Sequence, residues 1–176
     1  HGAMAPMDSA FLEQLAGLLV ARGFAVVRFE FAYMAARRCS GRKRPPPRAS
    51  ALVAEFNAAV DELYAAASVT RPLIIGGKSL GGRVASMVAD QLFRSKAVDG
   101  LVCFGYPFHP PNRPNSLRID HLMAMTCPTL IVQGERDPFG CMTEVAAYPI
   151  DPAVRLHWVG DGNHDLVPRR KSGYTQ

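Results

Sequence analysis

The sequence contains no apolar stretch near the ~20 residues that a bilayer-spanning helix needs, which excludes an integral membrane protein built on such helices. No positively charged start leads into a long apolar run with a small-residue cleavage site. Cysteine is sparse: Cys39, Cys103, Cys127 and Cys141 stand 64, 24 and 14 residues apart, with no C-x-x-C pair. That spacing argues against a structural zinc or a disulfide framework, and the expected compartment is the cytoplasm. Cys103 and Cys127 lie in or beside apolar runs, where a thiol acts as a small hydrophobe. Excess basic charge is absent outside one stretch. Residues 37–48 (RRCSGRKRPPPR) hold six of the twenty basic residues, and the remainder carries 14 basic against 15 acidic. No aromatic side chains interleave those arginines, so no nucleic-acid partner is expected. No metal and no cofactor is expected either.

What is present is the composition of one globular domain over residues 1–176: 48% apolar, 20% charged and 9% aromatic. Asp8 to Arg22 has helical spacing at Phe11, Leu12, Leu15, Leu18 and Leu19 and stops at Gly23. Phe24 to Phe29 is a short β-rich run. After the basic, proline-rich stretch, read as a loop, Ser50 to Ala67 is helical by its apolar spacing. Leu73 to Gly77 reads as a buried strand and Gly81 to Phe93 as a helix. Leu101–Phe104, Thr129–Val132 and Val154–Val159 read as further strands, with a helix near Met142–Tyr148. Short apolar runs separated by helical patterns predict an α/β fold, a mostly parallel sheet flanked by helices. Ligands in such folds bind beyond the C-terminal ends of the strands.

Chemistry-bearing residues follow the strands. Gly77-Lys78-Ser79-Leu80-Gly81 is a G-x-S-x-G pattern between a strand and a helix. There the sharp turn exposes the serine hydroxyl, glycines two residues away avoid collision, and the Leu80 N–H faces a forming oxyanion. A phosphate loop ending in Gly77-Lys78-Ser79 is excluded, because the glycine it requires five residues earlier is Pro72. A serine nucleophile needs a base oriented by an acid. The strand Thr129–Val132 runs into Gln133-Gly134-Glu135-Arg136-Asp137, and the strand Val154–Val159 runs into Gly160-Asp161-Gly162-Asn163-His164. The order Ser, Asp, His is that of α/β-hydrolases. Asp137 also reads as a turn cap before Pro138, Glu135 is a rival acid, and His164 also reads as a surface histidine. His157 falls inside a strand. His121 lies in a short helical stretch with no partner type nearby. His109 follows a strand, either lining the pocket or packing in a loop. The opening His1-Gly2-Ala3-Met4 fits the turn that gives the second oxyanion donor, from Ala3 or Met4, and it also reads as a cloning remnant before Met4.

Several motifs together resemble a known group: Gly76-Gly77-Lys78-Ser79-Leu80-Gly81-Gly82-Arg83, Gly105-Tyr106-Pro107-Phe108-His109-Pro110, Gln133 to Gly140 and Asp161-Gly162-Asn163-His164-Asp165. They resemble small bacterial α/β-hydrolases akin to dienelactone hydrolases, and more narrowly the family of testis-expressed protein 30 and subunit 3 of the NSL complex. The resemblance implies an α/β-hydrolase fold with Ser79 as nucleophile, Asp137 as acid and His164 as base, and it names no substrate. Ser79 stands where dienelactone hydrolases carry cysteine. In this fold a strand precedes the His1-Gly2 turn, between the Phe24–Phe29 and Leu73–Ile75 strands, so the chain is expected to be truncated there.

The expected activity is hydrolysis of a small-molecule ester or thioester, and the competing reading is a catalytically silent interaction module. The expected pocket is shallow, edged by Tyr33, Met34, Tyr106, Phe108 and Phe139, with Lys78 beside the nucleophile and Tyr106–Thr126 as the sole candidate lid. Arg37, Arg38, Arg42, Lys43 and Arg44 are expected to overhang it and attract an anionic substrate or an acidic partner.

Overall fold

Short segments of five or six residues, each with an apolar centre or start, assemble the sheet. The computed structural model describes residues 1–42, 45–66, 69 and 72–174. Four strands pair in chain order, β1 (Ile74–Lys78), β2 (Gly100–Phe104), β3 (Thr129–Gly134) and β4 (Val154–Val159). All three pairings are parallel. Among the described residues five α-helices accompany them: α1 (Ala10–Val20), α2 (Ala32–Ser40), α3 (Val53–Ala66), α4 (Leu80–Arg94) and α5 (Met142–Val145). None of these helices is long and apolar enough to cross a membrane.

A parallel pair needs a long crossover, and α4 supplies the one between β1 and β2. Its Val84, Val88 and Leu92 stand four residues apart and are buried with Ala85 and Ala89. Burying each of those three larger side chains is worth about 1.5–3 kcal/mol. The core they enter includes Leu52, Phe56 and Val60 below, and Leu101, Cys103 and Ile131 from the central strands. Cys103 and Cys127 are buried, unpaired thiols. Burial pushes both up from the ordinary thiol range, Cys127 to about 11.

Two elements differ from the sequence reading. Phe24–Phe29 joins no sheet ladder among the described residues. Strands exist by virtue of ladder partners, and here the flanking N–H groups are spent elsewhere, Phe24 on Leu19 O and Phe31 on the His1 ring. Between this segment and β1 lies an apolar groove of about 160 Å³, walled by Leu12, Leu15, Val27, Phe29, Gly76 and Val102. Accordingly α1 packs loosely: none of its residues is buried, and its Phe11 meets Phe104 edge-on at 5.9 Å. The second difference is α2, which occupies the start of the stretch read as a basic loop. Its last turn holds Arg37 and Arg38, where cations complement the helix dipole. Lys43 and Arg44 lie outside the described residues.

Candidate active site

Because the four strands are parallel, their C-terminal ends share one edge. Ser79 leaves β1 there, Asp137 leaves the turn after β3, and His164 leaves the loop after β4. The three side chains meet in one hydrogen-bonded line. Ser79 Oγ lies 2.9 Å from His164 Nε2, and His164 Nδ1 lies 2.8 Å from Asp137 Oδ2. A carboxylate only accepts, so Nδ1 carries the proton and donates it to Asp137. Nε2 is then left as the acceptor facing the serine hydroxyl.

The turn at Ser79 is strained. With φ 52° and ψ −114°, it sits in a region that costs a non-glycine residue on the order of 1–3 kcal/mol. Hydrogen bonds hold it: the Ser79 N–H donates to Phe104 O at 2.9 Å, and the Arg83 N–H donates to Ser79 O at 2.9 Å. Gly77 is required because a Cβ there would lie 2.6 Å from Gly81 C and 2.7 Å from Gly82 N. The Leu80 N–H, first of α4, meets no acceptor among the described residues, as expected for a helix N-terminus. It is available to an incoming anion.

Beside it sits the N-terminal turn. The Gly81 N–H donates to His1 O at 3.0 Å, docking His1-Gly2 on the first turn of α4. Tyr33 Oη donates to Ala3 O at 3.0 Å and Arg37 donates to Met4 O at 3.2 Å. Tyr33, expected at the pocket edge, is therefore a strap on this turn, and burial pushes its phenol up to about 12.

Asp137 is fully buried and fully satisfied. Its Oδ1 accepts the Phe139 N–H at 2.8 Å, and its Oδ2 accepts Gln133 Nε2 at 2.9 Å in addition to His164. Gln133 escaped the sequence reading. It is wholly buried, its Oε1 accepts the Tyr106 N–H at 2.7 Å, and its Nε2 faces Tyr106 O, Asp137 and Gly140 O. An amide ending the apolar run Thr129-Leu130-Ile131-Val132 was the available signal. Glu135, the rival acid of the sequence reading, accepts the Asp161 N–H at 2.8 Å, whereas the Asp137 carboxylate lies within hydrogen-bond reach of His164. Asp161 in turn binds Arg136 at 2.7 Å and Arg169 at 2.6 Å, bracing the histidine loop. The Arg169 guanidinium holds its carboxyl down at about 2.

The other expected pocket residues divide. Phe139 is half-buried, its ring 4.3 Å from the His164 ring centroid. Lys78 is buried, with Nζ 2.8 Å from His164 O and 3.3 Å from Asp165. Burial pushes its ammonium below the usual lysine range, against the pull of Asp165 and Asp137. Met34, Tyr106 and Phe108 are core residues, because they point inward from α2 and from the turn after β2. His109 is likewise buried, 3.4 Å from Glu144. The stretch 106–126, the candidate lid, is packed down at its ends, where Tyr106 Oη donates to Arg118 O and the Arg118 N–H to Phe108 O, while residues 111–117 are exposed. His121 does have partners, Ser86 Oγ at 2.8 Å and Tyr106 Oη at 3.3 Å. Arg38 is spent on Asp8 and Glu30 at 2.7 and 2.9 Å. Among the described residues no three His, Cys, Asp or Glu side chains are grouped to hold a metal ion.

A parallel sheet with a serine at the strand–turn–helix edge and a histidine reaching it from the last strand defines the α/β-hydrolase class. The alpha/beta hydrolase domain family model matches residues 1–176, and the chain belongs to that family. Among solved structures it is similar to an alpha-beta serine hydrolase homologue from Coxiella burnetii, 21% identical with a TM-score of 0.67 over 92% of this chain and 71% of that one. An esterase from Pyrococcus furiosus superposes with a TM-score of 0.72 at 14% identity, covering 94% of this chain and 72% of its own. A lidless α/β serine hydrolase from Xanthomonas campestris gives 0.62 at 17% identity, covering 91% and 66%.

Proposed function

We propose that this chain is a serine hydrolase that cleaves a carboxylic ester or thioester by acyl transfer to water. The observation that carries the reading is the unbroken line Ser79–His164–Asp137 at the sheet edge, with the Leu80 N–H open beside it. Ser79 Oγ attacks the acyl carbonyl carbon as its proton passes to His164 Nε2. The N–H groups of Leu80 and of Ala3 or Met4 hold the oxyanion. Collapse breaks the bond to the alcohol or thiol, which leaves with the proton from Nε2. Water then adds to the acyl-serine, its proton again taken by Nε2, and collapse releases the acid and returns the proton to Ser79. Asp137 keeps the imidazole in the tautomer this sequence needs. Truncated variants that lose one oxyanion donor forfeit about 3–4 kcal/mol of transition-state stabilisation.

The substrate is a small acyl compound, and the class favoured by charge is an anionic one. Among the described arginines of the basic stretch, Arg38 is paired with carboxylates, whereas Arg37, Arg42 and Arg48 are not. The kinship to the family of testis-expressed protein 30 and NSL subunit 3 belongs to the same proposal and rests on Gly76 to Arg83 and Asp161 to Asp165. A fluorophosphonate probe tests the activity. It should label the protein at Ser79, and Ser79→Ala and His164→Ala should abolish labelling and lower ester turnover by about 10⁴-fold or more. An unlabelled native protein with no turnover would establish a silent interaction module instead.

A further inference from the structure

Lys78 precedes the nucleophile directly, yet its side chain is buried. It runs beneath the histidine loop. Nζ is nearly excluded from solvent, donates to the backbone carbonyl of His164 at 2.8 Å, pairs with Asp165 at 3.3 Å and lies 5.9 Å over the Phe11 ring. Gly105 leaves the room for this contact. With φ +59°, it would carry a Cβ 2.6 Å from His164 O, 3.1 Å from Lys78 Nζ and 3.4 Å from His164 Nδ1. The ammonium and the imidazole edge therefore converge on the same point under the loop.

We infer that Lys78 is a positioning residue: its bond to the His164 carbonyl ties the base to the strand that carries the nucleophile. Other contacts hold the loop farther out. The Asn163 side chain accepts the Asp165 and Val167 N–H groups, and Asp161 holds Arg136 and Arg169. Neither links the loop to β1, and Lys78 makes that link from the residue next to Ser79. A geometric tie of this kind governs the Ser79–His164 approach and leaves substrate affinity alone, since Nζ is under the loop and away from open solvent. Displacements of about 1 Å at such a contact cost on the order of 100-fold in rate.

This inference rests on the hydrolase reading, and the experiment separates the two. Steady-state hydrolysis of p-nitrophenyl acetate and fluorophosphonate labelling rates are measured on the full chain for native protein, Lys78→Met, Lys78→Arg and Asp165→Asn. Lys78→Met should lower kcat and the labelling rate about 10- to 100-fold with KM within about twofold. Lys78→Arg, which keeps a cationic donor, should recover part of that loss, and Asp165→Asn should fall much less because the carbonyl bond survives. Where Lys78→Met does not fold, Lys78→Gln replaces it, being polar but one bond too short to reach His164 O, and must show the same kcat-selective loss. Native-like kcat in the methionine or glutamine variant, or a loss expressed in KM, overturns the inference while leaving the hydrolase intact. A native protein that neither turns over nor labels overturns both.

Discussion

Gln133 offers the sharpest test of how the acid is held. Gln133→Leu keeps the size of the side chain but removes every hydrogen bond it makes. The Tyr106 N–H loses its acceptor in a site with no solvent, a cost of about 1–3 kcal/mol. Asp137 Oδ2 loses one of its two donors, and hydrogen bonds to ionised groups are worth about 1.5–3 kcal/mol. Both losses fall in the same turn and are partly offset by burying an apolar side chain, so the net destabilisation should be about 3–5 kcal/mol. For a chain of this length that is a drop in Tm of about 6–20 °C. Activity should fall less steeply than stability. Asp137 keeps the Phe139 N–H and His164 as donors, so it stays hydrogen-bonded to the imidazole. An approximately tenfold loss of kcat is expected, against about 10⁴-fold for losing the acid's orienting role altogether. Calorimetry and ester hydrolysis on the same preparation read both numbers. A Tm within about 2 °C of native with unchanged kcat would refute the claim that Gln133 anchors this carboxylate.

Two further outcomes follow from charge. The Asp161 carboxyl, held at about 2 by Arg169, has a folded value below its unfolded one, so its contribution to stability is complete above about pH 4 and is lost as pH falls toward 2. Asp161→Asn should therefore be less stable than native at pH 5, with the gap in Tm closing between pH 4 and 2; a gap independent of pH refutes the pairing. Steering by Arg37 and Arg42 predicts that kcat/KM for a carboxylate-bearing ester exceeds that for its neutral counterpart and falls with added salt, whereas equal, salt-independent values dispose of it.

What was legible in the sequence is what depends on local pattern. The four paired strands, α4 and the residue types at the sheet edge follow from short apolar runs, helical spacing and glycines around one serine, because a parallel sheet puts every strand end on the same side. The exceptions each have a non-local cause. Phe24–Phe29 has the composition of a strand, but pairing is a property of two segments, and an apolar groove lies where its neighbour would be. Arg37 and Arg38 looked like part of a solvated loop because proline and glycine follow them closely, yet the four residues before them are good enough helix formers to build α2 ahead of Gly41. Tyr106 and Phe108 were read as pocket walls because they follow a strand. Their burial depends on the 118–125 stretch folding back over them, which no spacing within 106–109 encodes.

The same distinction separates Asp137 from Glu135. Both carboxylates follow β3 within three residues of its end, and both are hydrogen-bonded by backbone N–H groups. They differ in what lies across from them. Glu135 meets the start of the β4 loop at Asp161, and Asp137, two residues farther round the turn, meets the imidazole three residues farther along that loop. The turn after β3 and the loop after β4 thus advance side by side. The structural carboxylate braces the base of the loop, and the second one, supported from beneath by Gln133, reaches the histidine. Arg136, the residue between the two carboxylates, donates its N–H to Gly162 O at 2.9 Å, so that position faces loop backbone and not His164.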